Sequence, residues 1–380
     1  MKSLKILHIN DGDLDDSRVI NAAKTGKKAG YEEYFCGENL GQTFNTDVFT
    51  KLTWIKIPDR ARIAKSLFRG IDRFWKWYPY PEHALSLERQ LKNVVEEIKP
   101  DIIHAHNIFV AYPASKFGIP MVLDDHELYS LHIKAQNEKA NLRKKLITKV
   151  KENLWADWEQ KIGEKYPIIT VSTQIANHHK KYCNNVYVVP NYPTENAIRF
   201  DSYQESVKEN LRSAYLGRDS DQNFSMVRNI TGLHQLFSTK ENIGTLLRIG
   251  VSQPNTSRIK SVGTLRMDEA YEVLNRDAHI GLLPWQKHWF HEYCNPNKVY
   301  EYAHCGLWLI VIDDLKPVID DFGIHCDKFS NYDDLADLLA YYNDNPSELN
   351  RKRSLSLEHA QNNMVWEKSE QKILEAYKKA

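Results

Sequence analysis

Short apolar runs, each closed by polar residues, alternate along this chain with stretches of helical spacing. Leu4-Lys5-Ile6-Leu7-His8-Ile9 gives way at Asn10 to the polar loop Asp11-Gly12-Asp13-Leu14-Asp15-Asp16, ahead of a helical stretch reaching about Ala29. Strand, glycine-containing loop, helix and strand open a doubly wound unit, whose ligands gather at the carboxyl ends of its strands. The pattern predicts a helix over 82–99, buried strands over 100–107 and 118–123, one long basic helix over 134–165, and strands over 168–172 and 186–191. Residues 194–210 are polar and aperiodic and read as a linker. Strands resume at 213–217, 245–250 and 259–265, a helix follows over 267–276, and apolar strands at 279–283 and 307–312 frame a further helix. Strands alternating with helices predict parallel sheets, and 380 residues suggest about two α/β domains.

The richest chemistry lies between those last two strands. Asn295 suits an N-cap, Pro296 the first helical position, and Gly306 a C-terminal stop. At about 100° per residue, Asn297, Lys298 and Glu301 share one helix face. The helix start offers free N–H groups and a positive dipole end, with a lysine beside them. One turn on, a carboxylate can accept hydrogen bonds from hydroxyls. A nucleoside diphosphate asks for this arrangement.

Composition narrows the class. Hydrophobic residues make up 42%, charged residues 27%, and the formal net charge is +1, which argues against a dedicated nucleic-acid binder. Five scattered cysteines without C-x-x-C spacing fit neither a disulfide framework nor a zinc site. No run has the length of a membrane span, the N-terminus shows no signal-peptide pattern, and the expected location is cytoplasmic. Residues 60–80 interleave Arg60, Arg62, Lys65, Arg69, Arg73 and Lys76 with aromatics. Such a helix can lie on an anionic membrane or pack its aromatics on the domain. The Asp-x-Asp spacing of Asp11, Asp13 and Asp15 could hold a divalent ion, or simply form a polar loop capping the next helix. His104 and His106 project to one side of a strand, but neither helix nor strand spacing supplies a third metal ligand.

Several segments carry a family resemblance: Lys99-Pro100-Asp101-x-x-His104-x-His106, Asp124-Asp125-His126-Glu127, Ile169-Thr170-Val171-Ser172 with Val188-Val189-Pro190-Asn191, and Pro296-Asn297-Lys298-x-x-Glu301-Tyr302-x-x-x-Gly306. Together they resemble the retaining glycosyltransferases of family four. The resemblance implies the GT-B fold: two facing Rossmann-like doubly wound domains with an interdomain cleft. Residues 1–195 would bind the acceptor and 211–362 the nucleotide sugar, with 363–380 forming a helix that crosses back to the first domain. Arg218, Arg228, Asn295, Asn297 and Lys298 would grip the donor diphosphate, Glu301 the ribose, and the loop at Gly263 the nucleobase. His126 would sit beside donor sugar and acceptor as a catalytic residue with Glu301, and the Asp11-Gly12-Asp13 loop would present the acceptor. The implied chemistry is retaining, with neither metal nor cofactor. The implied partners are a nucleotide-sugar donor and a glycan or lipid-linked acceptor in surface polysaccharide or glycoconjugate synthesis, with membrane contact through 60–80 and no nucleic acid.

One departure stands out. The family usually carries a first glutamate, near the donor sugar, eight residues before the second. Counting back from Glu301 reaches Tyr293, with Glu292 one position earlier, so the resemblance makes this the donor-sugar loop, read either by Glu292 in a shifted loop or by Tyr293 with its neighbours. Two other functions share the architecture: a sugar-nucleotide 2-epimerase, and a catalytically silent carbohydrate-binding or scaffold paralogue.

Overall fold

The computed structural model describes residues 3–12, 14, 16–39, 47–56, 79–203, 211–217, 226–252 and 254–380. Asp13, Asp15, Arg218 and the basic aromatic stretch up to residue 78 lie outside the described residues. The chain divides into two compact units, Met1–Pro190 with Ser369–Ala380, and Asn191–Lys368.

The first unit is built on a parallel sheet of β1 (Lys5–Asn10), β2 (Glu32–Gly37), β3 (Lys51–Trp54), β4 (Ile102–His106), β5 (Met121–Asp125), β6 (Ile168–Thr170) and β7 (Val186–Val188). Their order is β3-β2-β1-β4-β5-β6-β7. The continuous apolar runs become the central strands β4 and β5, buried along their whole length, while β3 and β7 lie half-exposed at the edges. Helix α1 (Ser17–Lys28) starts where the Asp16 carboxylate accepts the Arg18 backbone N–H at 2.9 Å. Helices α2 (Pro79–Ile98) and α3 (Ile108–Ala114) follow. The long helix expected over 134–165 is two helices, α4 (Tyr129–Gln136) and α5 (Leu142–Gly163). Asn141 causes the break: its side chain accepts the Lys144 N–H at 3.0 Å and starts the second helix. Ser172 caps α6 (Thr173–His179) in the same way.

The second unit has its own parallel sheet, β8 (Arg212–Leu216), β9 (Thr245–Ile249), β10 (Ile259–Ser261), β11 (Ile280–Leu283), β12 (Trp308–Ile312) and β13 (Cys326–Phe329), in the order β10-β9-β8-β11-β12-β13. Helices α7 (Leu233–Thr239), α8 (Met267–Asp277), α9 (Asn297–His304), α10 (Lys316–Asp321), α11 (Tyr332–Asp344) and α12 (Pro346–Asn363) connect and cover it. The aliphatic side chains of β11 and β12 are at most 1% exposed, each worth about 1.5–3 kcal/mol of burial. Gly281 leaves room on β11 for the Tyr302 ring of α9, whose phenol oxygen accepts the Leu216 N–H of β8 at 2.8 Å. That bond ties the body of α9 to the end of the central strand β8.

In each sheet the strand order reverses at the first strand, between β1 and β4 and between β8 and β11. Strand-end loops diverge at such points and leave a crevice for ligands. The final helix α13 (Glu370–Lys379) belongs to the first unit, where Tyr377 Oη meets His104 Nδ1 at 2.8 Å. Among the described residues no helix is long and apolar enough to cross a membrane.

Candidate functional site

In the second unit the site grows from three glycines. Gly217, Gly250 and Gly263 follow the adjacent strands β8, β9 and β10, all with positive φ, at +146°, +101° and +73°. A Cβ added at Gly217 would lie 3.2 Å from Lys298 Cε, and one at Gly250 would lie 3.0 Å from the Gly217 backbone. Bare backbone at three neighbouring strand ends lets a ligand approach closely, and Lys298 is laid across it from α9. Gly250→Ala should therefore destabilise the protein by about 1–3 kcal/mol, through the strained φ and the collision with Gly217, measured by urea unfolding.

Lys298 and Glu301 occupy the first turns of α9, both half-buried. Burial lowers the Lys298 pKa, with Glu301 opposing and the Arg228 guanidinium adding to the fall. Burial raises the Glu301 pKa, against the pull of Lys298 and of the Tyr271 phenol, which donates to Glu301 Oε1 at 3.2 Å. Arg228 itself stands 5.9 Å from the centre of the Trp285 ring. A desolvated lysine with an arginine nearby at a helix start is an arrangement that suits a phosphate group.

The helix begins one residue later than expected. Pro296 is the cap, extended at φ −74° and ψ 126°, and Asn297 is the first helical residue. The fixed φ of proline serves an extended cap as well as a first helical position. Asn295 is buried ahead of it, its backbone carbonyl accepting from Asn191 Nδ2 at 3.1 Å, and Asn297 is exposed. Gly306 follows the helix at φ +72°, and the Leu307 N–H returns to the Tyr302 carbonyl at 3.0 Å.

Glu292 and Tyr293 lie in a single 3-10 turn, Trp289–Tyr293. Burial raises the Tyr293 pKa, and its phenol is hydrogen-bonded to Glu292, which raises it further. The turn is fixed from beneath by His291, whose Nε2 donates to the Val227 carbonyl, and by the His288 N–H, which donates to Asp314 Oδ2 at 2.7 Å. Burial holds the His291 pKa down at about 4, so this anchor stays neutral.

In the first unit the strand ends carry a polar cluster. His126, just past β5, is 15% exposed. Its backbone N–H donates to Asn107 Oδ1 at 3.3 Å, and Asn107 Nδ2 donates to Asp11 Oδ1 at 3.0 Å. The Gly12 carbonyl accepts the Glu38 N–H at 3.1 Å and closes the loop against β2. Asn107 thus joins the Asp11 loop to His126, and it does so at φ +75°, uncommon outside glycine. Below, Asp124 is buried and held by Arg18 through Nε at 3.0 Å to both oxygens and Nη2 at 2.8 Å. Burial would raise the Asp124 pKa, but the guanidinium drives it well below the usual carboxylate range.

Strand spacing offered no third partner for His104 and His106; strand pairing supplies several. His8 is paired with His104, and Asp124 with His106, across neighbouring strands. Ligating atoms of His106, Asp124 and His126 lie within 4.8 Å of one another, as do those of His8, His104 and His106. Asp124 is already taken bidentately by a guanidinium, and the ring nitrogens of His8, His106 and His126 hydrogen-bond each other. In this structure hydrogen bonds join these side chains into one cluster.

Residues 23–192 match the model of the family described as Glycosyltransferase Family 4. No curated protein sequence matches the chain. Among solved structures the chain resembles sucrose-phosphate synthase from Thermosynechococcus elongatus, with a TM-score of 0.69, 12% identity, and 99% of this chain and 98% of that one covered. HepE of Anabaena, solved in complex with UDP-glucose, gives a TM-score of 0.65 at 10% identity over 99% and 100% of the chains. A glycosyltransferase from Rickettsia africae gives 0.64 at 12% identity over 100% and 98%. At these identities the likeness is one of fold: the two-domain α/β architecture of the GT-B glycosyltransferases.

Proposed function

We propose that this chain is a glycosyltransferase that moves a sugar from a nucleoside diphosphate donor to a hydroxyl acceptor, with retention and without a metal. The observation that carries the reading is Lys298 laid over the bare Gly217 backbone, with Arg228 beside it and Glu301 one turn on. The diphosphate would lie at the α9 start under Lys298 and Arg228, with Arg218 as a further contact, and the ribose hydroxyls would donate to Glu301. Gly263 would leave space for the base. These cations stabilise charge as the diphosphate departs, the role a divalent ion fills in other enzymes. Glu292, one position ahead of the family's first glutamate and hydrogen-bonded to the Tyr293 phenol that stands in its place, would contact the donor sugar. The acceptor, a glycan or lipid-linked sugar, would be presented by Asp11, Gly12 and Asp13, with His126 as the nearest titratable group. The match of residues 23–192 to a glycosyltransferase family supports the reading from the other unit.

A thermal-shift panel of UDP, GDP, ADP and their sugar conjugates, with and without EDTA, on wild type and Glu301→Ala, tests it. Stabilisation by one nucleotide, indifferent to EDTA and lost in the variant, is the expected result. A shift that requires metal would overturn the metal-free part. Silence with every nucleotide would sink the transferase reading in favour of a silent subunit.

A further inference from the structure

Beneath His126 the first unit buries an unbroken line of hydrogen bonds. Glu33 Oε2 meets His8 Nε2 at 2.8 Å, His8 Nδ1 meets His106 Nε2 at 3.1 Å, and His106 Nδ1 meets His126 Nε2 at 3.2 Å. Glu33 is 1% exposed, and His8 and His106 are fully buried. Each ring uses both nitrogens along the line, and the outer end, His126 Nδ1, comes 3.5 Å from Asp16 Oδ2. We propose that Glu33, His8 and His106 form a proton relay that fixes the tautomer of His126 and draws off the proton that His126 takes up. This role rests on the glycosyl-transfer reading only in naming the acceptor hydroxyl as the proton source.

The polarity of the line follows from its anchor. An ionised Glu33 only accepts, so His8 carries its proton on Nε2, His106 on Nε2 and His126 on Nε2. His126 Nδ1 is left with a lone pair at the exposed end. When an acceptor hydroxyl gives its proton to Nδ1, its oxygen forms the new bond to the sugar as the bond from sugar to diphosphate breaks, and that electron pair leaves on the diphosphate. His126 then passes its Nε2 proton to His106 Nδ1, His106 passes its own to His8 Nδ1, and His8 passes the last to Glu33 Oε2. No charge is left on the rings. The reverse passage returns the proton to water at His126 after the products leave.

Glu33 is suited to be the terminus. Its other oxygen, Oε1, has no hydrogen-bond partner among the described residues, so the anion is poorly stabilised. Burial raises its pKa, against the pull of His8. Gly26 of α1 makes the space: a Cβ there would fall 1.8 Å from Oε1. At the other end burial would lower the His126 pKa, but Asp124, whose Oδ2 lies 3.8 Å from Nε2, and Asp16 raise it above the ordinary value, with Arg18 opposing. His104 contacts Asp124 and Tyr377, outside the line, and burial keeps it neutral with a pKa of about 4.

The test is nitrogen-15 NMR of histidine-labelled protein without donor or acceptor, so that it reads independently of transfer. At pH 8, His8, His106 and His126 should all be Nε2–H tautomers. Any one of them as Nδ1–H breaks the line and overturns the proposal, with no variant needed. Glu33→Gln keeps an acceptor for His8 while removing the charge and the proton store. It should move the His126 titration midpoint down by about half a pH unit or more, since Asp16, Asp124 and Arg18 are unchanged. An unmoved midpoint would reduce Glu33 to packing. One equivalent of zinc in the purified protein would put an ion where the relay needs a proton, and would equally overturn it.

Discussion

Lys298→Ala should lower kcat/KM for the nucleotide-sugar donor by about a thousandfold while leaving the unliganded protein as stable as before, or more so. The two effects have opposite signs for one reason. Lys298 is desolvated and close to Arg228, and its pKa is lowered. The unfolded chain holds that proton more tightly than the folded one, so folding stability rises with pH through the lowered pKa, and the charged lysine is a net cost below it. A bound diphosphate reverses the balance, so donor binding should be accompanied by proton uptake on the alkaline side. Isothermal titration in two buffers of different ionisation enthalpy measures this directly. Lys298→Arg should not restore activity. Lysine presents a compact point charge beside the bare Gly217 backbone, and the longer, planar guanidinium would not place its charge at the same spot. A Lys298→Ala protein with donor kinetics within fivefold of wild type would remove this residue from the diphosphate site.

Arg18→Met should cost about 3–5 kcal/mol, because it leaves Asp124 charged, buried and without its guanidinium. The first unit should melt roughly 10 °C lower. Asp124 has a depressed native pKa, so the stability it draws from Arg18 is present above the ordinary carboxylate range and is lost as pH falls through the native value. The gap between wild type and variant should accordingly narrow in acid. The double variant Arg18→Met with Asp124→Asn should recover part of the loss, since no uncompensated charge remains. Denaturant melts across pH, followed by Trp155 and Trp158 fluorescence in this unit, distinguish these outcomes. Equal loss in single and double variants would mean that Arg18 acts through packing, or through its bond to the Val189 carbonyl.

Much of this was legible in local sequence. Each apolar run between polar residues became a strand, because parallel strands covered on both faces need continuous hydrophobicity. Gly306 ended its helix, since a left-handed C-terminal residue is cheapest without a side chain. The cap at Pro296 and the break before Asn141 escaped because single residues decide them, and proline or asparagine suits either of two neighbouring positions. Tyr271 escaped as well. It sits on a different helix from the Glu301 carboxylate it serves, and no spacing rule links them. The histidine cluster was half visible. His104 and His106 share a strand face at period two, but His8 reaches them only through pairing between strands nearly a hundred residues apart in sequence. Asn107 gave no signal, because a positive φ belongs to the turn that folding imposes on it.

The placement of Ser369–Ala380 in the first unit bears on how the protein is made. Tyr377, which closes over His104, and Lys372, whose Nζ donates to the Val188 carbonyl at 2.9 Å, are translated only after the whole of the second unit. On the ribosome the first unit must therefore wait with His104 uncovered while its successor is completed. The last helix works as a late-arriving clasp, and the N-terminal unit cannot finish folding until that helix has been made.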